Sequence, residues 1–214
     1  MDGWIRRSPV VFNRRPLKSE KRDHWEVPLC YEEEGPGPFL VDLSHVEKWD
    51  VQDHALHNIQ PGGRDIPESP GACFLHEGML ITRLNGTQGQ CWALGGEHHA
   101  FGETMPFTDI TEALALFALI GRDILAVMEG VTSLDLASPL LVQPCLFQGP
   151  VLRVPSQVVV LGENGHGSCV LVACSRGYGQ SMADALLEAG RGIGLSPAGE
   201  KAFSTWLQNE SHTG

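Results

Sequence analysis

The 214-residue chain has no run of eighteen apolar residues, and its longest greasy stretches, such as Ala113 to Ile120, are far too short to cross a bilayer as a helix. The opening Met1-Asp2-Gly3-Trp4-Ile5-Arg6-Arg7 lacks the apolar core of a secretory signal, so a cytoplasmic location is the expectation. Cysteine is scarce: six residues, at positions 30, 73, 91, 145, 169 and 174, with no C-x-x-C pair. That excludes a disulfide framework and leads us to expect reduced thiols and no bound metal. Also missing are a G-x-S-x-G elbow, an H-E-x-x-H helix and a phosphate-binding P-loop, which removes the simplest hydrolase and nucleotidase readings. What is present is 42% hydrophobic residues at a mean hydropathy of -0.08, enough to bury the core of one domain or of two small ones.

Charge is unevenly spread. Residues 1–28 hold seven basic and four acidic side chains, +3, so with a net charge of -11 the remainder carries -14. A body that acidic repels nucleic-acid phosphates, and the basic segment lacks interleaved aromatics, so no nucleic acid is expected as a partner. Residues 1–38 read as a basic flexible arm and linker, solvated or ordered only against an acidic partner, ending in the breaker run Gly35-Pro36-Gly37-Pro38. Ordered structure is expected from Phe39 to about residue 207, with 208–214 as a tail.

Within that span Phe39-Leu40-Val41-Asp42-Leu43-Ser44 reads as a strand end leading toward a short helix near Ala55. Apolar pieces around Asn85-Gly86-Thr87-Gln88-Gly89 read as a hairpin. Between Thr111 and Val131 the apolar residues suit one long helix or a strand followed by a helix. Gly121 favours the second, with a turn after Ile120 and a helix ending near Gly130. Val151 to Leu161 and Ser168 to Ala173 are β-branched runs joined by a glycine-rich turn, and Ser181 to Ala189 has helical spacing closed by glycine. Asp42-Leu43-Ser44 is echoed by Asp109-Ile110-Thr111, as two copies of a strand-turn-helix unit or by chance. The fold class expected is α+β, with helices on a mainly antiparallel sheet.

Local chemistry is thin. Glu97-His98-His99 reads as a solvated loop, because adjacent side chains on a strand diverge. Cys169 and Cys174, five apart on a strand, leave opposite faces and cannot share a zinc. The glycines at 162, 165 and 167 join two strands and open no helix, so they supply turn dihedrals and no phosphate cradle.

Several motifs together resemble a known family. Ser181 to Gly190, followed by Gly194-Leu195-Ser196-Pro197-Ala198-Gly199, is similar to the helix and tail of the folate-binding domain of glycine-cleavage T-proteins, the aminomethyltransferases. Val41-Asp42-Leu43-Ser44 resembles that family's opening strand end, and Leu161-Gly162-Glu163-Asn164-Gly165 stands where it carries Thr-Gly-Glu-Asp-Gly. Ile66 to Gly71 and Gly130 to Leu136 resemble loops of the small gamma subunit of heterotetrameric sarcosine oxidase. The resemblance implies a T-protein-like fold and a role in one-carbon metabolism. It further implies hetero-oligomeric assembly with flavoprotein subunits that oxidise amines and pass the one-carbon unit to tetrahydrofolate. It offers Glu163 as a cofactor-binding residue and Glu77 as a second. Where T-proteins carry an Asp-Asp pair in the central hairpin, this chain has His76-Glu77-Gly78. The expectation is therefore a subunit that is not itself catalytic and binds tetrahydrofolate weakly or not at all. A free-standing tetrahydrofolate-dependent aminomethyl or methyl transferase, and a scaffold whose cleft has been filled or repurposed, stand as alternatives.

Overall fold

The computed structural model describes residues 4–96, 106–138 and 140–210. The apolar run of Leu114 onward is a strand, β9 (Leu114–Gly121), and Gly121 does end it, at φ 138°, before α1 (Ile124–Glu129). The run lacks polar positions because both faces are covered. Ala115, Phe117 and Leu119 enter one core, while Leu116, Ala118 and Ile120 enter another.

β9 lies inside a six-stranded sheet. On one side of it stand β12 (Gly167–Ser175), β11 (Val154–Asn164) and the edge strand β10 (Cys145–Val151). On the other stand β3 (Phe39–Asp42) and β13 (Ser196–Ala198), the latter joined in parallel and every other pair antiparallel. One face of this sheet is covered by α1 and α2 (Gly179–Ala189), through Ile124, Met128, Met182, Ala183 and Leu186. The opposite face meets α3 (Glu200–Glu210), through Phe203, Trp206 and Leu207, and a second sheet through Leu80 and Trp92. That five-stranded sheet is ordered β5 (Cys73–His76), β6 (Met79–Arg83), β7 (Gln88–Ala93), β4 (Lys48–Gln52), β8 (Phe107–Asp109). Its far face carries a third core of Val51, Ile81, Cys91 and Ala93, closed by Leu56 and Ile66 from the intervening loop. The fold is thus α+β and mainly antiparallel.

Several expectations are confirmed in detail. The turn 85–87 joins β6 to β7, the glycine-rich turn joins β11 to β12, and α2 ends at Gly190. Cys169 and Cys174 do diverge, into the α3-facing and the α2-facing cores. The helix expected near Ala55 is only a single 3-10 turn, Leu56–Asn58.

The mobile arm is corrected. Residues 16–31 form a hairpin, β1 (Pro16–Arg22) and β2 (Trp25–Tyr31), turning through Asp23 and His24, both at positive φ. Trp25, Val27 and Tyr31 are buried while Glu26 between them is exposed, a period of two that the density of charge obscured. Upstream, Val10 and Phe12 are buried in the core under α2. The ordered C-terminal segment is also longer than expected, since α3 runs on through Glu210. Its side chains hold it to the glycine-rich turn: Trp206 Nε1 donates to Gly167 O at 2.8 Å, and Asn164 Nδ2 donates to Trp206 O at 3.0 Å.

Because Trp25 anchors the hairpin, Trp25→Ala is expected to destabilise the chain by about 3–5 kcal/mol, read from urea unfolding. In the wild type, trypsin should cut at Lys21 and Arg22 only at the rate at which the hairpin opens. Cleavage there as fast as in the unfolded chain would show that the hairpin is not packed.

Candidate functional site

The Asp-x-Ser and Asp-x-Thr echo is a shared local geometry. Asp42 Oδ1 accepts from Ser44 N at 3.0 Å and from Ser44 Oγ at 2.6 Å, and Asp109 Oδ1 accepts from Thr111 N at 2.8 Å, so each aspartate closes a turn on its own backbone. Both hydroxyls, each on a connection between the two sheets, also accept from a backbone N–H. Ser44 Oγ accepts from Leu116 N at 3.2 Å, and Thr111 Oγ1 accepts from Lys48 N at 3.0 Å. Each turn leads into a strand, β4 or β9, and each strand is followed by helix, a single 3-10 turn (Leu56–Asn58) in the first copy and α1 in the second. Between the turns lies Lys48, fully buried, its Nζ donating to Ser44 O at 3.0 Å and Val46 O at 2.5 Å. Burial lowers its pKa to about 7, against the opposing pull of Asp42 and Asp109.

A second polar cluster joins three elements. Glu200, at the start of α3, receives both terminal nitrogens of Arg22 from β1, with Nη1 to Oε1 at 3.0 Å. It also receives His45 Nε2, from the β3–β4 loop, at 2.8 Å. Burial works to raise the Glu200 pKa, but the hydrogen bonds and charges of His45 and Arg22 outweigh it and hold the group at about 2. A carboxylate so held is an anion at neutral pH and does not shuttle protons, so the cluster is a clasp. Sequence reasoning missed it, since its members are scattered across the chain and share no motif.

The two acids singled out from the sequence do not converge. Glu163 is exposed near the end of β11, opposite Ser168. Glu77 is exposed at the tip of the β5–β6 hairpin, in the other sheet, where at φ 49° beside Gly78 it serves as a turn residue. It borders a cavity of about 80 Å³ with Arg64, Phe74 and His76. Glu163 borders neither of the two larger clefts. The turn that follows Glu163 is better placed, since Gly165 and His166 line a cleft of about 610 Å³ together with Phe39, Ile120, Arg122 and Lys201. His98 and His99 lie outside the described residues. Among the described residues no three of His, Cys, Asp and Glu gather into a metal-binding group, and no helix is long and apolar enough to cross a membrane.

This arrangement of a two-faced antiparallel sheet, a second sheet and a C-terminal helix is a T-protein-like fold. A chain of the heterotetrameric sarcosine oxidase from Corynebacterium sp. U-96, in complex with pyrrole 2-carboxylate, superposes with a TM-score of 0.60 at 13% identity, over 73% of this chain and 85% of that one. The glycine cleavage system aminomethyltransferase T from Bartonella henselae superposes with a TM-score of 0.56 at 20% identity, over 87% of this chain. The match spans only 57% of the aminomethyltransferase's own length. No family model matches the sequence, and no curated protein sequence does.

The clasp makes a pH prediction. Glu200 has a folded pKa of about 2, below its ordinary 4.5, so its stabilisation is complete above pH 4.5 and is lost as pH falls toward 2. We expect on the order of 3 kcal/mol to disappear across that window, and Glu200→Gln to remove that part of the slope in urea unfolding. An unchanged slope in the variant would show that the carboxylate is not held in this way.

Proposed function

We propose that the chain is a subunit of a folate-linked one-carbon or amine-oxidising complex, working in the cytoplasm beside flavoprotein chains and without catalysis of its own. The observation that carries this reading is the likeness in fold to a chain of heterotetrameric sarcosine oxidase, covered over 85% of its length. The acids favour it as well. A pterin site needs several polar groups aimed at one pocket, whereas Glu163 and Glu77 stand exposed on different sheets and do not fit tetrahydrofolate as a pair. The exposed basic side chains Arg15, Lys18 and Lys21, on or next to the outer strand of the hairpin, suit the first contact with an acidic partner surface.

Affinity purification of the tagged chain from its native cells at low salt is expected to recover flavin-containing partners. Lys18→Glu with Lys21→Glu should slow association by about tenfold and lessen their retention. Elution alone, without yellow flavoprotein, at low and moderate salt overturns the subunit reading.

A second reading, a free-standing tetrahydrofolate-dependent aminomethyl or methyl transferase, draws on the superposition of 87% of this chain onto the aminomethyltransferase. It gives Glu163 and Glu77 the task of accepting hydrogen bonds from pterin N–H groups. Calorimetric titration separates the two. The subunit reading expects weak or no binding of tetrahydrofolate, and affinity of about 1–10 µM that vanishes in Glu163→Gln promotes the transferase.

A further inference from the structure

The 610 Å³ cleft is built by glycines that the sequence reading treated as punctuation. A Cβ on Gly121, at φ 138°, would stand 2.7 Å from Pro38 Cβ, and one on Gly167, at φ 93°, would stand 2.4 Å from the carbonyl carbon of Gly121. Bare backbone is therefore what brings the 34–38 loop, the end of β9 and the β11–β12 turn together. Where they meet, Phe39, Ile120, Ile193 and Ala202 supply an apolar lining.

The charges around that lining are balanced. Arg122 and Lys201 face the cleft with Glu34 and Asp123, in a chain whose net charge is -11. None of the four is ion-paired within the described residues. Glu34 is fixed in place, its Oε1 accepting from Tyr31 N at 2.6 Å and Gly199 N at 2.8 Å, which leaves Oε2 for another donor. An anion would meet two carboxylates here, a cation would meet two basic groups, and an uncharged ligand would leave all four charges unmatched by charge of its own.

We propose that this cleft binds a small zwitterion, a free α-amino acid with an apolar side chain. Its carboxylate faces Arg122 and Lys201, its ammonium faces Asp123 and Glu34, and its side chain lies on the apolar lining. The volume falls within the usual range for small-molecule sites and has room for an aromatic ring. This inference does not depend on folate binding or on flavoprotein partners.

The test is amide NMR of the full chain with L-phenylalanine as the probe. Shifts are expected at Gly121, Arg122, Gly165 and His166. 3-Phenylpropanoate, which lacks the ammonium, and 2-phenylethylamine, which lacks the carboxylate, should each bind about tenfold more weakly. Arg122→Gln should weaken phenylalanine about tenfold and leave phenylethylamine unchanged; Asp123→Asn, which tolerates the left-handed backbone there, should weaken phenylalanine equally and leave phenylpropanoate unchanged. Both side chains are exposed, and the wild-type spectrum of each variant reports that it folds. No shifts in these residues up to about 10 mM phenylalanine, or equal binding of all three probes, overturns the proposal.

Discussion

Between Ala115 and Ile120 on β9, and between Cys169 and Cys174 on β12, every side chain is apolar and every one is buried, so neither face of the central strand pair can meet water. The other layers are consequences of that constraint. Helices α1 and α2 cover one face; α3 and the inner face of the five-stranded sheet cover the other. A polar residue placed in either strand would lose its water on whichever face it chose. Among the polar groups the fold does bury, Ser44, Thr111 and Lys48 stand beside strand ends and find backbone partners, while Asp50, Thr82 and Gln90 lie within the five-stranded sheet.

The same constraint decides what can be read from sequence. β9, the β11–β12 hairpin and α2 are legible because their apolar spacing and their glycine stops agree. Strand β10 is not. It turns into β11 through Leu152 and Arg153, both at positive φ, and a turn made without glycine or asparagine merges two strands into one run on paper. The Asp23-His24 turn hides the N-terminal hairpin in the same way. Helix α3 has Phe203, Trp206 and Leu207 at helical spacing, but it starts directly after Pro197 and Gly199, residue types that mark breaks.

At the candidate sites, legibility follows sequence distance. The aspartate turns are local, and the pattern of Asp42 with Ser44 repeats visibly at Asp109 and Thr111. Resemblance singled out Glu163 and Glu77 as residue types at motif positions, without the three-dimensional placement that separates them. Arg22, His45 and Glu200 share a clasp only because three remote segments pack together. The cleft beside Gly121 depends on close backbone approach, a property of glycine that composition registers only as a breaker.

The docking of β2 on α3 carries a consequence for synthesis on the ribosome. Gly199 sits so close to the backbone of Leu29 that a Cβ there would be 2.4 Å from its carbonyl carbon, and Arg22 has its carboxylate partner at Glu200. β3, the inner neighbour of β9, likewise takes its outer partner, β13, from near the end of the chain. The N-terminal hairpin therefore emerges long before the helix that covers it has been made. At bacterial and eukaryotic elongation rates that interval is roughly 10–40 s. Throughout it, the surface destined for α3 stays open to chaperones and to premature partners, and the ribosome completes the fold's first and last elements together.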